Sequence, residues 1–198
     1  MKNIISFLFI WVISHGELFA QDCACKTALD IRKQQRTNDR FDLQSSLMAL
    51  QKEKAGTCAA SYQEWLAESF FLRNQFDSAK ESLDKAYQLL SRTSCNEKSY
   101  YNYYRLMSSL NFSIGEFTKS LEYSLKALPL AEESGDQFEE AVCLLQVAQT
   151  FNKMKESGKG IEYARKVLDI LEKNKRAIGE SFSFHPSCLC VFLEIPGY

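Results

Sequence analysis

The sequence predicts an all-α chain built from repeated helical hairpins. Residues 66–90, LAESFFLRNQFDSAKESLDKAYQLL, read as two amphipathic helices joined by a polar turn at residues 73–75. Small residues stand among large apolar ones at Ala67, Ala79 and Ala86. Because small residues let two helices approach closely, this spacing predicts a packed hairpin. The chain has only 8 Gly and 3 Pro, which suits a mostly helical protein.

The same spacing recurs twice downstream, which indicates an internal repeat. In residues 107–128 the small positions are Ser108, Ser120 and Ala127. In residues 147–168 they are Ala148 and Gly160, and Val167 replaces the last alanine. The first small position of the pattern recurs after 41 residues, from Ala67 to Ser108, and again after 40 residues, from Ser108 to Ala148.

The three copies resemble the tetratricopeptide repeat (TPR) family, in which helix–turn–helix units stack into a right-handed superhelix. The resemblance covers residues 61–173 and is best in FDSAKESLDKAYQLL, FTKSLEYSLKALPLA and GKGIEYARKVLDIL. The usual period of the family is about 34 residues. The longer period here implies longer helices or links, a variant associated with bacterial exported and signalling proteins. HEAT and armadillo repeats have about this longer period, but they lack the small–aromatic–small spacing.

The N-terminus has the pattern of a secretory signal peptide over residues 1–20. Lys2 gives a positive start, residues 4–13 are apolar except for Ser6, and Ala20 offers a cleavage site before Gln21. An uncleaved membrane anchor is the alternative. We therefore expect a protein exported to the periplasm or the extracellular space, with no stable membrane span after cleavage. The formal net charge of −1 argues against a nucleic-acid partner.

Residues 21–58 read as a helical hairpin that caps the N-terminal end of the array. Its turn is at Asn38 and Asp39, and it lacks the small residues of the repeat. A helical-repeat solenoid needs such an atypical end unit with a polar outer face. Its buried stripes are predicted at Leu29, Ile31, Leu43, Leu47, Met48 and Leu50.

Three repeats fill residues 59–176, and residues 177–198 are a divergent or truncated tail. The predicted repeat helices are near residues 59–73, 76–91, 100–114, 117–133, 137–154 and 158–173. One of them is dense in tyrosine, at Tyr100, Tyr101, Tyr103 and Tyr104. These rings either line a binding face or pack between repeats.

Export would allow the cysteines to form disulfides. Cys23 and Cys25 precede the first cap helix, Cys58 follows the second, and Cys95 follows the first repeat. In an antiparallel hairpin the start of the first helix lies beside the end of the second. We therefore expect Cys58 to pair with Cys25 or Cys23, and with Cys95 as the second choice. Cys143 lies inside a helix and reads as a small buried residue.

The residues that usually carry catalysis or bind metals are scarce. His185 is the one histidine after residue 20, and its spacing from Cys188 and Cys190 fits no closed zinc site. No Gly-rich phosphate loop occurs. We predict a protein that is not an enzyme and that has neither a cofactor nor a metal site.

The resemblance implies a non-catalytic scaffold that holds a protein or peptide in a concave groove lined by the first helix of each repeat. Glu64 and Glu68 in the first repeat favour a partner of basic character, unless the lining is only solvated. The alternative is an extracytoplasmic sensory module, a fragment of a longer sensor kinase or signalling protein. The predicted groove residues are Glu64, Glu68, Phe71, Asn102, Arg105, Ser109, Phe112, Leu145, Gln149 and Asn152.

Overall fold

The computed structural model describes residues 25–37, 42–52, 56–93 and 97–173. The predicted signal peptide and tail, and the candidate cysteines Cys23 and Cys95, lie outside these ranges. The described part holds eight α-helices, a short 3-10 helix at Glu97–Tyr100 and no strand. None of these helices is long and apolar enough to cross a membrane. The helices are α1 (Lys26–Thr37), α2 (Leu43–Gln51), α3 (Gly56–Leu72), α4 (Phe76–Ser91), α5 (Tyr101–Ser113), α6 (Phe117–Ser134), α7 (Gln137–Lys153) and α8 (Ser157–Lys173).

Consecutive helices pack against each other. The tightest pairs are α3 with α4, α5 with α6, and α7 with α8, and α6 also packs on α7. The first helices of neighbouring hairpins touch as well, α3 with α5 and α5 with α7. The predicted boundaries of the six repeat helices are confirmed to within three residues at each end. The all-α prediction therefore holds for the described residues.

The small residues of the pattern sit where paired helices approach most closely. Ser108 Oγ in α5 donates a hydrogen bond of 2.9 Å to the carbonyl oxygen of Ser120 in α6. A Cβ atom added to Gly160 in α8 would lie 3.1 Å from the carbonyl oxygen of Ala148 in α7. All nine pattern positions are buried: Ala67, Ala79, Ala86, Ser108, Ser120, Ala127, Ala148, Gly160 and Val167.

The three hairpins share one turn geometry. The backbone is left-handed at Asn74 (φ 57°), Gly115 (φ 83°) and Lys155 (φ 63°), which repeats the spacing of 41 and 40 residues. Only Gly115 adopts this conformation without steric cost. The next backbone N–H donates to the carbonyl five residues back, as in a Schellman helix end. These bonds join Gln75 to Phe70, Glu116 to Asn111 and Glu156 to Phe151.

The tyrosine-rich segment packs between hairpins. Tyr103 of α5 is 6% exposed. Its ring centroid lies 5.1 Å from that of Tyr87 in α4 and 6.2 Å from that of Tyr123 in α6. Tyr101 is also buried, and the Tyr104 ring meets the Tyr103 ring edge-on, with a centroid distance of 5.5 Å. Of the two alternatives raised by the sequence, packing is the one observed here.

The N-terminal hairpin keeps only part of its predicted buried stripe. Ile31, Leu47 and Leu50 are buried, but Leu29 is 57% and Met48 50% exposed. The prediction is wrong for these two residues. The buried side of the first helical segment is formed by residues 25, 28 and 31, so residue 29 points outward. In α2 the buried residues are 46, 47 and 50, so residue 48 points outward.

A disulfide joins Cys25 to Cys58, with a Cα–Cα distance of 4.8 Å. It is the first of the predicted pairings, and it ties the start of α1 to the first turn of α3. Cys143 is a free, buried thiol inside α7, as predicted.

Candidate partner-binding face

Polar and charged side chains converge where α3, α5 and α7 lie side by side. We call this surface the charged face and define it by six residues. They run diagonally from the middle of α3 to the start of α7. The six residues are Glu64 and Glu68 of α3, Asn102 and Arg105 of α5, and Asp136 and Glu139 at the start of α7.

Helical spacing and one helix cap place these groups. Glu64 and Glu68 are four residues apart and share one side of α3. Asp136 is the N-cap of α7, where its Oδ1 accepts from the backbone N–H of Phe138 at 3.0 Å and of Glu139 at 3.3 Å. The second carboxylate oxygen of Asp136 is thereby left facing outward, toward α1.

Arg36 of α1 binds this end of the charged face. Its Nη1 donates to Asp136 Oδ2 at 2.6 Å, and its Nη2 donates to Glu139 Oε1 at 2.9 Å. The guanidinium also lies 4.6 Å from the centroid of the Phe138 ring. These contacts join residues about 100 positions apart in sequence, so α1 reaches past two hairpins.

Arg32 lies one helical turn before Arg36 and faces the same surface. Its guanidinium carbon lies 5.6 Å from the centroid of the buried Trp65 ring. Burial, and then the neighbouring Arg105, lowers the pKa of Arg32. The carboxylates of Glu68, Glu139 and Glu64 oppose this change because they stabilise the charged guanidinium. Burying a guanidinium is favourable only where such carboxylates surround it.

Glu64 is the most deeply placed acid of the charged face. Glu64 is 4% exposed, and burial raises the pKa of its carboxyl group to about 7. Glu68 adds to the rise, while Arg32, a hydrogen bond from the Asn102 side chain and Arg105 oppose it. Glu64 therefore exchanges a proton near neutral pH, which a surface glutamate does not.

Several polar atoms of this surface have unused hydrogen-bonding capacity. Within the described ranges, no hydrogen bond reaches the buried atoms Glu64 Oε1, Asn102 Oδ1 and Arg105 Nε. Arg105 Nη2 lies 3.5 Å from Glu68 Oε2, and both side chains are about one-fifth exposed. Buried polar atoms without partners cost free energy, so this part of the surface is incompletely paired.

The structure brings four of the ten predicted groove residues together, at Glu64, Glu68, Asn102 and Arg105. The other six lie elsewhere on the three first helices. Phe71 and Phe112 pack across their own hairpin turns, with ring centroids 5.9 Å from Phe76 and 5.6 Å from Phe117, respectively.

The remaining predicted groove residues lie along α5 and α7. Leu145 is 4% exposed and belongs to a core cluster with Val167. Ser109 Oγ donates to the Arg105 carbonyl, Asn152 Oδ1 accepts from a serine at the start of α8, and Gln149 is half-buried. Leu145 thus offers little surface to a ligand.

The sequence pattern did not indicate four participants in this network, namely Arg32, Arg36, Asp136 and Glu139. Asp136 and Glu139 fall at a helix start, where acidic residues are common for local reasons. Arg32 and Arg36 are spaced by one helical turn on the side of α1 that holds residues 25 and 28. That spacing is the one sequence signal from which their shared position could have been predicted.

The free thiol beside the face is unsuited to nucleophilic chemistry. Cys143 Sγ donates to the Tyr101 hydroxyl at 3.9 Å. Burial raises the pKa of Cys143 to about 11, so the thiol stays protonated at neutral pH.

In comparisons with known proteins, no protein-family model matches this sequence, and no curated protein matches it either.

Proposed function

We propose that this chain is a non-catalytic scaffold that binds a protein or peptide segment of basic character. The observation that carries the proposal is that the charged face already binds an arginine of a helix, Arg36, through two carboxylates. A second arginine of that helix, Arg32, lies beside the face over the Trp65 ring. Planar guanidinium groups match carboxylates in geometry and form two-pronged hydrogen bonds with them. A surface able to hold α1 in this way can hold a basic segment of another protein.

The charge balance of the face supports a cationic partner. Helices α3, α5 and α7 contribute carboxyl groups at Glu64, Glu68, Asp136 and Glu139, against the single guanidinium of Arg105. Without α1 the face would carry an excess of negative charge in a partly dehydrated setting. An acidic partner would be repelled there, and a basic one attracted.

The repeated turns and close contacts support a wider proposal, that the hairpins form a TPR-like right-handed superhelix with α3, α5 and α7 on its inner side. In that arrangement the first helices form an extended binding surface. The disulfide and the signal-like N-terminus support export from the cytoplasm to an oxidising compartment, because disulfides persist there and are rare in the cytosol.

Selection of peptides on the protein tests the binding function. A random peptide library is displayed on phage and selected on the immobilised chain, and the enriched peptides are measured by titration calorimetry. We expect enrichment in arginine and lysine. Affinity should fall by about tenfold or more in a variant carrying Glu68→Gln and Glu139→Gln, because each substitution removes a charged hydrogen-bond acceptor.

A matched variant carries Glu81→Gln and Glu122→Gln on the exposed outer sides of α4 and α6. It loses the same charge, and we expect unchanged affinity. Failure to enrich any peptide, or an equal loss of affinity in both variants, contradicts the proposed function.

A further inference from the structure

Helix α1 does not make the contacts of a simple end cap. A unit stacked on the end of a repeat array touches only its neighbour. The Arg36 bonds to Asp136 and Glu139 instead bring the end of α1 across the charged face to the start of the third hairpin. The cap interpretation applies better to α2, which packs on α3 and contains no charged residue.

The two halves of α1 contact the array differently. The first half makes apolar contacts: Ala28 and Ile31, together with Cys25 just before the helix, belong to the core cluster that includes Trp65 of α3. The second half is charged: Arg36 binds the carboxylates of Asp136 and Glu139 at the start of α7. Arg32 lies over the Trp65 ring of α3, where the nearby carboxylates of Glu68 and Glu64 favour its charge. These contact positions follow the 3- and 4-residue spacing by which a bound helix presents anchors to a groove.

The charged half of α1 is held by partly exposed ion pairs, which another arginine could replace. The Arg36 side chain is 27% exposed, and its partner Asp136 is 34% exposed. Ion pairs at this level of exposure contribute modestly. Helix α1 is nevertheless kept close to the face by the Cys25–Cys58 disulfide, so it competes with other ligands at high effective concentration.

We propose that α1 is an internal ligand of the charged face, and that the partner is a helix with the same anchors, which binds by displacing α1. This inference rests on the proposed function. The partner helix would carry an apolar pair three residues apart, as at Ala28 and Ile31. It would also carry two arginines one turn apart, as at Arg32 and Arg36.

A peptide copy of α1 is the probe. It has the sequence of residues 25–37 with Cys25→Ser, so that it cannot exchange into the disulfide, and it carries a fluorescent label. Anisotropy titrations measure its binding to the full chain with Arg36→Ala and to the full chain with Lys26→Ala. Lys26 is an exposed cation at the other end of α1, so its variant matches the loss of charge.

We expect the peptide to bind the Arg36→Ala protein several-fold more tightly, because Asp136 and Glu139 are then released for the arginine of the peptide. A peptide with Arg32→Ala and Arg36→Ala should bind neither protein. Equal affinity for both protein variants, or equal binding by the arginine-free peptide, overturns the inference.

Hydrogen exchange on the unmodified protein gives a second readout that no folding defect can mimic. The peptide is made with heavy isotopes, so that its fragments are distinguished by mass from those of α1. We expect saturating peptide to increase exchange at the α1 amides while α3 and α7 stay protected. Bound peptide with unchanged α1 protection contradicts displacement.

The outcomes separate this inference from the proposed function. If phage-selected peptides bind the charged face but the α1 peptide does not, the face is a binding site and α1 is not its internal ligand. If neither class of peptide binds either protein variant, both proposals fail.

Discussion

Replacing Cys58 by serine is expected to lower the free energy of unfolding by up to about 4 kcal/mol under oxidising conditions. The bond to Cys25 spans 33 residues, and closing a loop of that size restricts the unfolded chain. The loss should be concentrated in α1, α2 and α3, which the bond ties together. Denaturant titrations of the wild type and the variant provide the measurement.

The control for this prediction is reduction. In excess reductant the two proteins should have nearly the same stability, because the wild type then lacks the same bond. Equal stability under oxidising conditions would contradict the structural role of the Cys25–Cys58 bond.

The Glu64→Gln variant is expected to gain stability relative to the wild type as the pH rises from 5 to 8. The folded-state pKa of Glu64 is raised from 4.5 to about 7, so the folded protein holds this proton more tightly than the unfolded chain. Stability from the neutral carboxyl is fully present below pH 4.5 and is lost as the pH rises through 7. The difference in the free energy of unfolding between the variant and the wild type should change by about 3 kcal/mol over this pH range.

Burial is the main cause of the raised pKa of Glu64, and the groups that face Glu64 modify it. Arg32 from α1 and Arg105 from α5 favour its ionised form, whereas Glu68 on the same helix disfavours it. Denaturant titrations at several pH values measure the difference, and Glu122→Gln, at an exposed site on α6, controls for loss of a carboxyl group. A difference that stays constant from pH 5 to 8 would show that Glu64 is not held in a dehydrated site.

Much of the fold followed from local pattern. The positions of Ala67 and Ala79, of Ser108 and Ser120, and of Ala148 and Gly160 could be predicted because close helix packing requires small residues at fixed offsets. Turn positions followed for a similar reason, since a helix end with left-handed backbone must recur once per hairpin.

The place of α1 could not be predicted in this way. It depends on contacts between residues about 100 positions apart, such as Arg36 and Asp136, and no local pattern encodes such a pairing. The groove prediction also assumed that the first helices expose the same positions in every hairpin. The charged face instead runs diagonally from α3 to α7, so Glu64 and Arg105 belong to it while Leu145 lies in the core.

A double-mutant cycle between α1 and α7 tests most directly whether α1 lies on the charged face. The cycle uses Arg36→Ala, Glu139→Gln and the double variant, with Lys26→Ala in place of Arg36→Ala as the control cycle. Stabilities come from denaturant titrations. We predict a coupling free energy of at least about 0.5–1 kcal/mol between Arg36 and Glu139, and none between Lys26 and Glu139. Strictly additive effects of Arg36→Ala and Glu139→Gln would contradict the placement of α1 on this face.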